Sequence, residues 1–166
     1  MDKTYAYVID RVGFVADIAH RAAEAGALFM QQRNVTSIEI QRNGVRVWTD
    51  FNGQEEIYEG RSLILASGFG SRLTRSLGIG PVGDFVLASQ VEVETNGLDE
   101  TEIFLGKKQA PGFFGWLVPR QEGRALLGLM SRKNTVGYLR SLSAKLTTDG
   151  KITEMCGKPA KWGIPL

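Results

Sequence analysis

The sequence predicts an α+β chain of two lobes: a helix, a three-stranded meander and one buried strand, then an antiparallel sheet. Three observations carry this reading. Residues 9–25 have the apolar spacing of a helix, two Asn-Gly pairs punctuate short alternating runs, and four strand-like runs separated only by turn residues follow Gly80-Pro81.

In the first helix Val12, Val15, Ile18, Ala19 and Ala22 mark one face, with Asp10 placed to cap it and Gly26 to end it. Residues 35–40 and 45–51 read as strands, the second alternating Val45, Val47, Thr49 and Phe51. Asn43-Gly44 and Asn52-Gly53 supply hairpin turns, and a third strand falls near residues 56–58. Residues 63–66, Leu-Ile-Leu-Ala, are apolar at every position, the pattern of a strand buried on both faces. They run into a loop with two glycines and then a predicted helix over 71–77. The second lobe offers strands at 85–94, 102–105, 113–118 and 125–130. A helix follows over 135–146, with Val136, Leu139, Leu142 and Leu146 on one face, capped by Asn134 and stopped before Asp149-Gly150.

Composition narrows the function. A chain of 166 residues with 43% hydrophobic side chains is globular, and 20 basic against 18 acidic residues are scattered with no run of one sign. No phosphate-binding stripe results, so nucleic acid is not an expected partner. Cys156 is the single cysteine, which excludes an internal disulfide and a zinc site built from cysteine pairs. With no stretch of signal-peptide or membrane-spanning character, the expected location is cytoplasmic.

Of the candidate motifs, GIGPVG at 78–83 has the spelling of a dinucleotide loop but follows a helix and enters a strand, the reverse of the required context, and reads as a linker between lobes. His20 lies on the first helix with no second histidine or carboxylate expected at ligand spacing, and Cys156 has only Lys158 nearby to depress its pKa, so both read as structural and no metal site is expected. PGFFGWLVPR at 111–120 differs. Two aromatics, a glycine and a tryptophan between prolines make a stiff apolar segment, and Gly112 and Gly115 leave room for something to approach the backbone.

Three stretches together resemble the geranylgeranyl reductase-like family of FAD-dependent oxidoreductases, in the superfamily that includes aromatic hydroxylases and FixC-like electron-transfer flavoprotein dehydrogenases. YVIDRVGFVADIAHRAAEAGA is similar to the family segment in which an arginine opens a helix near the flavin. LILASGFGSRLTRSLGI resembles the second FAD motif, A-D-G-x-x-S-R, and PGFFGWLVPRQEGRALLGL resembles P-G-x-Y-G-W-x-F-P followed by G-x-A-x-x-G-L. Ser67 stands at the motif's aspartate, Thr74 at a common arginine position with Arg75 one place later, Phe114 at the signature's tyrosine and Val118 at its second phenylalanine.

The resemblance implies that residues 1–80 are part of an FAD-binding lobe lacking the GxGxxG loop and that 81–166 are an antiparallel substrate-binding lobe. The family's GxGxxG and G-D-A-A-G motifs would lie before and after this stretch, which makes the chain a middle portion of a longer protein, inactive alone and not expected to retain FAD. Arg11, Ala66, Gly68 and Ser71 become the expected FAD neighbours. Pro111, Gly112, Phe113, Phe114, Gly115, Trp116 and Pro119 become the expected walls for an isoprenoid or other apolar substrate. No side chain is a convincing acid or base, so no catalytic residue is assigned. The implied reaction is reduction of isoprenoid double bonds by the flavin. The alternatives are a fragment of an FAD-dependent monooxygenase or electron-transfer flavoprotein dehydrogenase, or a non-catalytic lipid-binding module. A lipid substrate also makes peripheral membrane contact plausible, although no basic amphipathic helix supports it.

Overall fold

The computed structural model describes residues 7–68 and 71–166. Two compact units divide them, one of residues 7–67 and 72–79, the other of residues 80–166 with Gly68 and Ser71. Both combine helices with antiparallel strands, giving an α+β chain.

The first unit opens with α1 (Arg11–Glu24). The Asp10 carboxylate accepts a hydrogen bond from the Val12 N–H at 3.1 Å, satisfying one of the donors that a helix start leaves unpaired. Gly26, at φ 92°, ends the helix as expected. None of its residues is buried, so its apolar stripe faces no partner among the described residues of this unit.

A meander follows in the order β1 (Asn34–Gln41), β2 (Gly44–Phe51) and β3 (Gln54–Gly60). Asn52 and Gly53 both have positive φ, 53° and 81°, as the tight hairpin between β2 and β3 requires. The other hairpin departs from expectation. Gln41 pairs with Gly44, so the two turn residues are Arg42 and Asn43, one place earlier. Gly44 is used for space, since a Cβ there would lie 2.5 Å from the Gly60 carbonyl oxygen.

Arg33 ties this sheet together: its guanidinium lies 3.9 Å from the Phe51 ring centroid and donates to Glu56 at 3.0 Å, and the Tyr58 hydroxyl donates to Glu56 at 2.7 Å.

Residues 63–66 form no strand, contrary to their apolar run. Leu63 and Ile64 are exposed, the latter at 90%, and no strand among the described residues pairs with them. A strand buried on both faces needs neighbours to complete its ladder, and the meander supplies none. The short helix α2 (Arg72–Ser76) follows, and its end is closed by Gly78 at φ 71° with the Ile79 N–H returning to the Thr74 carbonyl. GIGPVG thus begins as a helix terminus and leads into a strand.

The second unit is a five-stranded antiparallel sheet in the order β5-β6-β7-β4-β8, formed by β4 (Phe85–Thr95), β5 (Glu102–Leu105), β6 (Phe114–Pro119), β7 (Arg124–Ser131) and β8 (Ile152–Pro165). Four of these occupy the expected runs. The last was not expected as a strand: ITEMCGKPAKWGIP lacks an alternating pattern and contains lysines, glycines and prolines. Those residues suit a sheet edge, where one side of the backbone is unpaired, and β8 meets β4 with two register shifts.

α3 (Thr135–Thr148) packs on one face. Leu139, Leu142 and Leu146 are fully buried against Leu117, Leu127, Leu129 and Val93, each burial contributing about 1.5–3 kcal/mol. The Ser89 and Thr135 hydroxyls meet at 2.6 Å in the interior and fix the start of this helix on β4. Asn134 stands at the cap position but its side chain caps nothing. It adopts φ 51°, which turns the side chain away from the capping geometry.

Candidate functional site

Side chains alternate across a pleated strand, and residues opposite one another in register share a face. On β6, Gly115 and Leu117 therefore point toward α3, where a Cβ on Gly115 would come within 3.1 Å of the Leu142 methyl. Phe114, Trp116 and Val118 point to the other face. No second helix of this unit is present among the described residues, so that face carries no helix.

Register lines up Ile103, Trp116, Gly128, Gln90 and Ala160 in one row across the five strands. Trp116 uses that row unusually. Its indole lies across the neighbouring strand at Gly128, where any Cβ would sit 2.3 Å from the ring, and its Nε1–H donates to the Gln90 Oε1 at 3.0 Å. The ring thus roofs β7 and is pinned at its far end by β4. Phe114, two residues along β6, meets it with centroids 6.0 Å apart and planes tilted by 59°.

Around this aromatic pair the face is apolar and open. Ile103 and Leu105 on β5 are 53% and 71% exposed, Trp162 on β8 is 40% exposed, and Met130 and Val118 lie between. Charges stand at its ends. Glu92 meets Arg124 at 3.3 Å and Arg120 at 3.6 Å, while Asp84 and Arg132, flanking the opposite ends of β4 and β7, form a two-pronged ion pair. Hydrogen bonds from Arg132 hold the Asp84 carboxyl below its usual range.

The residues named from sequence divide by unit. Arg11 is the first residue of α1 and exposed, and Ala66 is exposed beyond the meander. Gly68, with φ 77° and open space where a Cβ would stand, and half-buried Ser71 group with the second unit. The loop between them includes positions 69 and 70, outside the described residues. In the second unit β6 brings Phe114, Gly115, Trp116 and Pro119 together. Phe113 precedes the strand, its N–H bonded to the Ala110 carbonyl and its ring 6.0 Å from the Arg132 guanidinium. Pro111 accepts from the Ser131 hydroxyl at 3.5 Å, and Gly112 makes the turn at φ 80°.

Sequence reasoning missed Gln90 and Gly128. Gln90 interrupts the apolar run of β4, a visible signal, but its meaning appears only when strand pairing sets it beside Trp116. One expectation needs correction: His20 does have a carboxylate at helical spacing, Glu24, at 3.3 Å. The pair is exposed, and no group of three or more metal-ligating side chains occurs among the described residues.

No family model matches the chain. Curated proteins do. The digeranylgeranylglycerophospholipid reductase of Methanosarcina acetivorans is 29% identical over 164 residues, which is 90% of this chain and 40% of that protein. Digeranylgeranylglycerophospholipid reductase 2 of Methanothermobacter thermautotrophicus is 32% identical over 144 residues, 82% of this chain and 37% of its own length. The chain is similar to curated digeranylgeranylglycerophospholipid reductases. It spans about two fifths of the length of these relatives.

The geranylgeranyl bacteriochlorophyll reductase-like protein of Thermoplasma acidophilum matches 99% of the chain and 45% of its own at a TM-score of 0.76 and 23% identity. A flavoprotein/dehydrogenase of Cytophaga hutchinsonii matches 95% of the chain and 43% of its own at a TM-score of 0.71 and 19% identity. At these identities the likeness is one of fold.

Proposed function

We propose that this chain is the substrate-facing part of an FAD-dependent oxidoreductase that reduces isoprenoid double bonds, with residues 81–166 the substrate lobe and 1–80 part of the FAD lobe. The observation that carries the reading is the open apolar face of the second sheet, built around a Trp116 indole held flat by Gly128 and Gln90. A prenyl chain has almost no polar groups, so its recognition rests on apolar area, at about 0.8 kcal/mol for each methylene buried. A fixed aromatic plane offers that area with little loss of side-chain freedom. The names of the relatives support the reduction, and the fold supports a flavin.

Gly68 fits a cofactor neighbour, because its positive φ and the open space at its Cβ position leave the backbone approachable. Ala66, Gly68 and Ser71 are the residues assigned beside FAD, with Arg11 at the start of α1. When bound, reduced FAD would supply the hydride, and the second hydrogen of the saturated bond would arrive as a proton from the flavin or solvent. This chain's part is to bind the alkene against Phe114, Gly115 and Trp116, to orient it and to exclude water. Pro111, Gly112, Phe113 and Pro119 hold that segment in its path. No residue here is assigned a proton. In the cell this reading places the protein in the cytoplasm, working at the surface of a membrane that holds its lipid substrate; no described helix is long and apolar enough to cross one.

The test is prenyl binding by the chain itself. Geranylgeraniol delivered from cyclodextrin is expected to quench tryptophan emission saturably. Trp116→Ala is expected to weaken that binding about tenfold, or 1.4 kcal/mol. Phe114→Ala is the companion variant, and both are scored for melting temperature as well as affinity. Loss of stability in both with unchanged affinity among folded molecules would make the segment ordinary core.

A further inference from the structure

An indole nitrogen can only donate a hydrogen bond, and the amide of glutamine has one oxygen that accepts and one NH2 that donates. The 3.0 Å contact with Trp116 Nε1 therefore fixes which way round the Gln90 amide stands: oxygen to the indole, NH2 away from it. No protein acceptor pairs with that NH2 among the described residues. No unpaired side-chain nitrogen there is fully buried, so the group opens onto solvent. Its row is otherwise apolar, with Ile103, Trp116 and Gly128 on one side and Ala160 on the other.

We propose that Gln90 is a specificity-determining residue whose NH2 hydrogen-bonds the oxygen at the head of a prenyl ligand, a hydroxyl or an ether. This rests on the reading of the sheet face as a prenyl-binding surface. A hydrocarbon laid over the face strips water from two amide donors and returns nothing. A ligand with an oxygen beside its first prenyl unit replaces the lost water bond. Because Trp116 holds the amide in one orientation, the donors are set before the ligand arrives. The same bond thus orients the aromatic wall and the polar anchor.

The experiment compares geranylgeraniol with the hydrocarbon of the same skeleton bearing hydrogen in place of the hydroxyl, each titrated against the chain by tryptophan emission. The wild type is expected to favour the alcohol about tenfold, a difference of 1.4 kcal/mol. Gln90→Glu keeps an acceptor for the Trp116 N–H and removes the donors; it is expected to lose the preference when the methyl ether of geranylgeraniol, which can only accept a hydrogen bond, replaces the alcohol. Gln90→Met keeps the length of the side chain without either polar group. It is expected to lose the preference too, and it serves if the charged variant does not fold. A wild-type preference that survives both substitutions overturns the proposal. Equal wild-type affinity for alcohol and hydrocarbon overturns the proposal and leaves the prenyl-binding reading standing. Binding of neither ligand overturns that reading and the proposal with it.

Discussion

α1 and α3 are each 14 residues long, and both carry a stripe of apolar side chains at helical spacing, yet one buries none of its residues and the other buries five. The stripe on α3 ends in three leucines that seat on the sheet opposite Gly115 and Leu117. The stripe on α1, with Val12 77% and Val15 56% exposed, meets nothing among the described residues of its own unit. Periodicity states what a helix is able to bury. Whether it does so depends on elements far away in sequence, so the same pattern marks a core in one unit and an open surface in the other.

The sharpest way to break this comparison is to shorten one side chain on each helix. Leu142→Ala removes a fully buried group that touches the Gly115 backbone region and is expected to cost about 2–5 kcal/mol. Ile18→Ala, at a position 50% exposed, is expected to change stability by about 0.5 kcal/mol or less. Urea unfolding of the two variants checks both values. A large cost at Ile18 would mean that α1 is packed in solution and the contrast is void.

The same contrast explains what the sequence made legible. Strands β4 to β7 could be read because each alternates or runs apolar between turn residues, and Asn52-Gly53 could be read because φ must be positive at both positions. Residues 63–66 misled because a continuous apolar run is evidence of burial only when neighbours exist. β8 was hidden because an edge strand need not alternate, and its Lys158, Pro159 and Lys161 resemble a loop. In the candidate site, the aromatic segment was evident from composition and resemblance. Gln90 and Gly128 were not, because what they do depends on a register that places one row of three strands under a single indole.

The helix starts sharpen the comparison on a smaller scale. Asp10 caps α1 through its side chain, so Asp10→Ala is expected to cost about 1 kcal/mol. Asn134 makes no such bond and sits at φ 51°, where glycine is at ease. Asn134→Gly is expected to change stability by only a few tenths of a kcal/mol, because glycine adopts this positive φ without strain and no cap bond is lost. Thermal melts of the two variants, matched with circular dichroism to follow helix content, test the pair. A loss at Asn134 equal to that at Asp10 would reveal a cap in solution that the structure lacks.

The smallest expected effect separates the two units by their carboxylates. Glu56 in the first sheet is held below its ordinary value of 4.5, chiefly by the Tyr58 hydroxyl and then by Arg33, while Asp84 in the second is held below 3.8, chiefly by Arg132. Both are depressed, so each group binds protons less readily folded than unfolded. Each therefore adds stability above its unfolded pKa that is lost as pH falls through the folded value. Asp84 is exposed and Glu56 half-buried at the surface, so solvent screens both and the slopes are expected to be shallow. Their partners make the difference. Arg132→Met removes the dominant donor to Asp84, and the carboxyl is expected to rise toward its ordinary value. Arg33→Met leaves the 2.7 Å bond from Tyr58, so Glu56 is expected to remain below 4.5, and only the further change Tyr58→Phe releases it. Carboxyl carbon shifts followed by NMR between neutral and acidic pH read each group directly. If Glu56 returned fully to its ordinary value on loss of Arg33 alone, the hydroxyl would be no anchor, and the first sheet would depend on a single ion pair just as the second does.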